Sequence, residues 1–84
     1  MYNYQEQKKN LFTQDGVSLV IKIKEKSNAL IKQSGCVSAA KLIYEATSTW
    51  DGLAAIDYLC EEKFLKEVPQ ENIVAQDRIF ILNN

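Results

Sequence analysis

The sequence contains no histidine, two cysteines and three glycines among its 84 residues. Because there is no imidazole base, neither a cysteine nor a serine can form the usual nucleophile–base pair of covalent catalysis. Two thiols without histidine are not a recognisable zinc-binding set, and three scattered glycines do not make a phosphate-binding loop. We therefore expect no catalytic activity, no metal site and no cofactor.

An excess of basic residues is missing as well. The chain has 10 Lys and Arg against 11 Asp and Glu, which gives a net charge of -1. Proteins that bind the phosphate backbone of nucleic acids usually carry a clear basic excess. Any basic surface must therefore arise from an uneven distribution of the cations, of which Lys22, Lys24, Lys26 and Lys32 lie in one segment.

Long apolar runs are absent too. No stretch approaches the roughly 20 apolar residues of a membrane-spanning helix, and the N-terminal residues MYNYQEQKKN lack the apolar core of a secretory signal. A cytoplasmic location without a membrane partner is the expectation. Cys36 and Cys60 lie far apart and outside any CxxC pattern, so we expect two buried, reduced thiols.

What the chain does have is the composition of one small globular domain, with 46% hydrophobic and 25% charged residues. Residues 1–12 are polar and predict a flexible N-terminal arm, although Tyr2 and Tyr4 could dock it on the domain, and residues 13–84 form the domain. Thr13 is a predicted helix N-cap and Gly35 a predicted C-cap. Between them, a three- and four-residue spacing predicts one helical stripe, made of Val17, Val20, Ile23, Ser27, Leu30 and Ile31.

A strand is the alternative for the first half of this segment. From Val17 to Lys24 the side chains also follow an alternating pattern, and Asp15-Gly16 could be the tip of a hairpin. The helix is the preferred interpretation, because the three- and four-residue spacing continues through residues 28–34.

Two further helices are predicted after Gly35. Ser38 begins a helix that continues through Ala46, residues 47–49 form a polar turn, and a third helix extends from about Trp50 to Glu62. At about 100° per residue, the core face of the third helix consists of Leu53, Ile56, Leu59 and Cys60. Its opposite side consists of Trp50, Asp51, Ala54, Tyr58, Glu61 and Glu62.

A pair of strands follows the third helix, at residues 64–68 and 78–82, with a loop over residues 70–77 between them. With these strands as a wing, the chain resembles the winged-helix (winged helix-turn-helix) superfamily over residues 17–82. The resemblance is carried by VSAAKLIYEA as the second helix and by STWDGLAAIDYLCEEKFLKEV as the recognition helix and first wing strand. It implies an α+β fold, a three-helix winged helix-turn-helix with a C-terminal two-stranded wing.

The end of the recognition helix departs from the family pattern at one position. In the family, a leucine is often followed four residues later by a glycine and then by two apolar residues. Here Leu59 is followed by Lys63, Phe64 and Leu65, so a lysine takes the place of the glycine. A lysine in the left-handed conformation usual there carries a steric cost.

The resemblance implies a small DNA-binding protein, a transcriptional regulator, whose third helix enters the major groove while the wing contacts phosphates. The candidate DNA-contacting residues are Ser48, Thr49, Lys22, Lys26, Lys41, Lys63 and Arg78. The third helix is nevertheless acidic, and carboxylates repel phosphate. The acids concerned are Asp51, Asp57, Glu61 and Glu62.

The alternative is an adaptor on the same scaffold that binds protein through the acidic and aromatic face of the third helix. Aromatic residues with scattered charge are typical anchors of protein interfaces. The candidate protein-binding residues are Trp50, Asp51, Tyr58, Glu61 and Glu62. A basic protein or a second copy would suit this face, and the first helix or an exposed strand at residues 78–82 could mediate a homodimer.

Overall fold

The computed structural model describes residues 2–46, 48–69 and 77–83. Within these residues the fold is mixed α+β, with four α-helices, one 3₁₀ helix and a three-stranded antiparallel sheet. In chain order the elements are α1 (Tyr4–Gln7), the 3₁₀ helix (Lys8–Phe12), α2 (Gln14–Ser34), β1 (Val37–Ser38), α3 (Ala39–Ile43), α4 (Thr49–Glu61), β2 (Leu65–Val68) and β3 (Ile79–Leu82). Of the loop predicted over residues 70–77, all but Asp77 lies outside the described residues. No described helix is long and apolar enough to cross a membrane.

The first long segment is helical throughout as α2, so the helix prediction is confirmed and the strand alternative is wrong. The Thr13 hydroxyl accepts a hydrogen bond from the Gly16 N–H at 3.0 Å, which caps the start of the helix. Gly35 ends the helix with a φ of 85°, and its N–H donates to the Ile31 carbonyl. The predicted stripe supplies the buried side of α2 through Ile23, Ser27 and Ile31.

Two shorter helices follow. α3 ends at Ile43, earlier than predicted, and α4 covers Thr49–Glu61, close to the predicted bounds. Lys63 then has a φ of 64°, as the resemblance implied, at a cost of roughly 1–2 kcal/mol for a residue with a Cβ atom. The Phe64 N–H donates to the Leu59 carbonyl at 2.9 Å. This turn directs the chain from α4 straight into β2.

The sheet corrects the prediction of a two-stranded wing. β3 pairs with β2 on one side and with β1 on the other, where Val37 lies opposite Phe80. A strand of two residues has too little periodicity to be recognised in a sequence, which is why β1 was not predicted as a strand. Because β3 is the central strand, the prediction of an exposed edge strand at residues 78–82 is wrong.

The core lies where α2, α3 and α4 meet the sheet. Its largest fully buried apolar side chains are Phe80, Ile23, Leu42, Ile56 and Leu65. Leu53 and Leu59 of the predicted core face are buried as well, and Cys60 is half-buried. Cys36 is exposed, contrary to the prediction, because Val37 is the residue that is buried where β1 begins.

The N-terminal residues form defined elements where a flexible arm was predicted over residues 1–12. Asn3 caps α1 by accepting a hydrogen bond from the Glu6 N–H at 3.3 Å, and Leu11 of the 3₁₀ helix is buried. Gly16 of α2 permits this close packing, because a Cβ atom there would lie 2.3 Å from the Asn10 carbonyl oxygen. We call residues 2–12 the N-terminal strap.

Candidate functional site

The side of α4 that faces away from the core is covered by the N-terminal strap. Tyr2 Oη donates a hydrogen bond to Asp57 Oδ2 at 2.6 Å, and Tyr4 Oη donates to Glu61 Oε1 at 3.1 Å. Lys8 Nζ forms an ion pair with the same Glu61 oxygen at 2.6 Å. The acidic face that was predicted to meet DNA or a partner protein therefore holds a segment of the same chain.

The second half of the strap continues this contact toward the start of α4. Asn10 Nδ2 donates to Asp51 Oδ1 at 3.3 Å. The Phe12 ring meets the Tyr58 ring edge to face, with the ring centroids 6.1 Å apart and an interplanar angle of 89°. Ala54 was predicted on the outward side but is fully buried, because the strap forms a second layer against α4.

These contacts shift the pKa values of the tyrosine and glutamate side chains that form them. Burial, followed by the hydrogen bond to Asp57, raises the pKa of Tyr2 above its ordinary value. Burial and the hydrogen bond to Glu61 raise the pKa of Tyr4 in the same way. The hydrogen bond from Lys8 lowers the pKa of Glu61. At neutral pH both phenols are therefore donors, and the Glu61 carboxylate is a charged acceptor.

Arg78, the predicted cation of the wing, is committed to an internal network. Its Nη2 atom lies 2.6 Å from Asp57 Oδ1 and 2.8 Å from Glu67 Oε1, and its Nε atom donates to Glu67 Oε2 at 3.0 Å. Burial alone lowers the pKa of Arg78, but hydrogen bonds to Glu67 and Asp57 outweigh burial and raise it. With 18% of its side chain exposed, Arg78 has little surface left for a phosphate.

The other candidate DNA-contacting residues are distributed over α2, α3 and both ends of α4. Lys26 Nζ is paired with Glu45 Oε1 at 3.0 Å, so its charge is partly neutralised. Ser48 occupies the N-cap position of α4, but its side chain makes no capping hydrogen bond. The residues of this set that are exposed are Lys22, Lys41, Ser48, Thr49 and Lys63.

The candidate protein-binding residues are divided into two groups by the strap. Asp51, Tyr58 and Glu61 are in contact with it. Trp50 remains 41% exposed at the start of the helix. Glu62 is also exposed, and it accepts a hydrogen bond from Tyr58 Oη at 3.3 Å.

An apolar patch lies between the strap and α2. Phe12 is 65% exposed, and Val17 and Ile21 are each 50% exposed. With Leu11, Val20 and Tyr58 they line an open groove of about 210 Å³. Val17 was predicted in the buried stripe of α2; it lies at the edge of that stripe, where the core does not reach.

The strap residues Tyr2, Tyr4, Asn10 and Phe12 were not predicted as site residues. Their partners in α4 are 41 to 57 positions away in the sequence, and helical periodicity does not report contacts across such distances. The one signal available was the presence of two tyrosines in an otherwise polar stretch, because tyrosine usually finds a buried surface or a hydrogen-bond partner.

The described residues offer little for a metal or cofactor. No group of three or more Cys, Asp or Glu side chains in this part of the chain could hold a metal ion. An open cleft of about 550 Å³ between the strap and α2 is lined by Asp15, Lys22, Glu45 and Asp51 among others.

Burial raises the pKa of Cys60 to about 11, which keeps this thiol protonated at neutral pH.

Comparison with known proteins identifies no relative. No family model matches the chain, and neither a curated protein nor a solved structure is similar to it. The inferences that follow therefore depend on the geometry of α4 and the strap.

Proposed function

We propose that this chain is a winged-helix-like protein that binds another polypeptide through α4. The order α2, β1, α3, α4, β2 and β3 supports a winged-helix-like arrangement, because a helix pair is followed by a hairpin that extends the sheet begun by β1. In such an arrangement α4 corresponds to the recognition helix and β2–β3 to the wing.

The observation that carries the proposal is the match between the acidic face of α4 and the polypeptide segment that lies on it. Phenol, amide and ammonium groups of the strap are hydrogen-bonded to Asp51, Asp57 and Glu61. The same carboxylates repel a phosphate backbone. A face with these acceptors is suited to a polypeptide that carries hydroxyl and amino groups.

The distribution of cations supports the same conclusion. Arg78 is paired with Asp57 and Glu67, and Lys8 is paired with Glu61. A winged-helix protein that binds DNA needs cations on its recognition helix and wing. Among the described residues, the two cations that contact carboxylates of α4 are thus used in internal ion pairs, whereas Lys63 is exposed just after the helix.

A titration with generic duplex DNA at low salt tests the proposal. The ¹⁵N-labelled chain is followed by nitrogen–proton correlation spectra, which detect non-specific binding at about 10⁻⁴–10⁻⁶ M. We expect no salt-sensitive shifts over residues 50–61 of α4 or at Arg78. Salt-sensitive shifts on these residues would show that α4 and the wing bind DNA, and would overturn the proposal.

DNA binding by a regulator remains the second candidate, through the start of α4. Lys41, Ser48 and Thr49 are exposed, and the Ser48 hydroxyl does not cap its own helix. The N-terminal end of a helix carries a partial positive charge and free N–H groups that suit phosphate. For this candidate we expect shifts confined to residues 41 and 48–49 in the same titration.

A pair of variants distinguishes a specific contact from general electrostatic attraction. Lys41→Gln removes the exposed lysine of α3, whereas Lys32→Gln removes one exposed lysine from the far end of α2. If the start of α4 binds DNA, Lys41→Gln weakens binding and Lys32→Gln does not. Equal weakening by both substitutions would identify non-specific attraction only.

A further inference from the structure

The N-terminal strap is attached to the domain in two different ways. Around residue 11 it is anchored in the core, because Leu11 is 3% exposed and the backbone of residues 10–11 lies against Gly16. By contrast, α1 contains no buried residue. The first part of the strap, Tyr2–Lys8, is held by the partly buried rings of Tyr2 and Tyr4, by their hydrogen bonds and by the ion pair of Lys8, and it contains no fully buried side chain.

This difference defines which part of the strap can leave α4. Hydrogen bonds, exposed ion pairs and partly buried rings each contribute less to stability than fully buried apolar side chains do. Segments held in this way open locally with a smaller free energy than the whole domain requires. Residues 2–8 can therefore detach while Leu11 keeps the remainder of the strap in place.

The face that this opening would uncover has a defined chemistry. Asp57 would lose the phenol of Tyr2, and Glu61 would lose both the phenol of Tyr4 and the ammonium group of Lys8. Both carboxylates can then accept hydrogen bonds from new donors, and a polypeptide with tyrosine and lysine side chains supplies the same donors as the strap. An acidic or apolar segment supplies none.

We infer that residues 2–8 are an internal ligand of the α4 face, and that the partner is a polypeptide segment carrying tyrosine and lysine that displaces them. This inference rests on the proposed function, since it names the partner chemistry of the same face. Binding of the partner and closure of the strap are then mutually exclusive, and any change that weakens the strap strengthens binding of the partner.

A peptide with the sequence of residues 1–12 is the probe that tests the inference. It carries a fluorophore at its C-terminus, and its anisotropy is measured with the full-length chain and with the Tyr2→Phe/Lys8→Gln double variant. These substitutions remove two donors of the strap without touching a buried residue. We expect the peptide to bind the double variant about tenfold more tightly, because two hydrogen bonds of the internal competitor are lost.

Two controls accompany this measurement. Lys9→Gln changes the neighbouring lysine, whose side chain is exposed and forms no hydrogen bond or ion pair within the described residues; this variant should bind the peptide as the unaltered chain does. A peptide in which Tyr2, Tyr4 and Lys8 are replaced by Phe, Phe and Gln should not bind. Equal affinity of the original peptide for the double variant and the unaltered chain would overturn the inference, as would binding to neither.

Hydrogen exchange in the unaltered chain provides a measurement that needs no variant. The Gln7 N–H donates to the Asn3 carbonyl and the Lys8 N–H to the Tyr4 carbonyl, so both amides are protected only while α1 is formed. We expect them to exchange faster than the amides of Ile23 and Ile56, through an opening that depends weakly on denaturant. Exchange at the rate of the core amides would show that the strap does not open by itself. That result, with no DNA-induced shifts on α4, would reject the displacement and leave the proposed function standing.

Discussion

Asp57 joins three parts of the molecule through its two carboxylate oxygens. One oxygen accepts the Tyr2 hydroxyl of the strap, and the other is paired with Arg78 just before β3. In the sequence, Asp57 is one of the acids of the third helix, and neither of these two partners was predicted for it. Periodicity indicates the side of a helix on which a residue lies, but it does not indicate what packs against that side.

The phasing of α4 can be tested with a single truncation at Leu59, which is 3% exposed. Leu59→Ala removes buried apolar volume, and we expect the free energy of unfolding to fall by about 2–5 kcal/mol. Ile21→Ala is the matched control, because half of that side chain is already in solvent. Urea denaturation measures both changes. Equal losses in the two variants would mean that Leu59 is not a core residue and that the assignment of the outward face is wrong.

At the scale of elements, the sequence predicts those parts of the fold whose signals are local. Thr13 and Gly35 delimit α2, and the spacing of its apolar residues continues over the whole helix. α1 could not be found in this way, since four residues are too few to form a stable helix without tertiary contacts. Residues 36–37 could be predicted as extended, but the pairing of β1 with β3 could not, because it joins segments that are distant in the sequence. The sequence analysis identified the α4 residues of the candidate site, but it did not identify the strap residues that contact them.

The stability of the strap contacts is predicted to fall at low pH and again at high pH. The pKa of Glu61 is lowered in the folded state, so its contribution is present above the ordinary glutamate pKa of about 4.3 and is lost as pH falls through the folded value. The pKa values of Tyr2 and Tyr4 are raised, so their contributions are complete below about pH 10 and are lost at higher pH.

We therefore expect the strap to loosen below about pH 4 and above about pH 10. Carbon chemical shifts of residues 4–8, followed from neutral pH past both limits, provide the measurement. Glu61→Gln serves as the control, because an uncharged amide cannot be protonated in this range and the part of the acid transition that belongs to Glu61 should disappear. Shifts that stay constant until the core unfolds would contradict the prediction.

At the scale of the whole molecule, the arrangement leaves a cluster of apolar side chains uncovered. Phe12 of the strap lies beside Val17 and Ile21 of α2, and all three side chains are at least half exposed. Contiguous apolar patches on small proteins mark interaction surfaces. With a net charge of -1, two copies of the chain repel each other only weakly.

We expect the chain to self-associate through α2 at high micromolar concentration, as the predicted homodimer requires. Light scattering across a concentration series measures this directly. Ile21→Glu places a charge in the patch and should abolish association, whereas Ala29→Glu adds the same charge at an exposed position further along α2 and should leave it unchanged. A monomer at every concentration would exclude the homodimer.

A series of side-chain hydrogen bonds extends from Tyr2 through Asp57 and Arg78 to Glu67. It connects the beginning of the polypeptide to the hairpin near its end by three consecutive hydrogen-bonded links. Release of Tyr2 leaves Asp57 with Arg78 as its remaining hydrogen-bond donor among the described residues, so we expect the surroundings of the Arg78 guanidinium to change when the strap opens. The two ends of the chain thus report on each other, and an isotopic label on Arg78 Nε would register the state of the first residues without any label being placed on them.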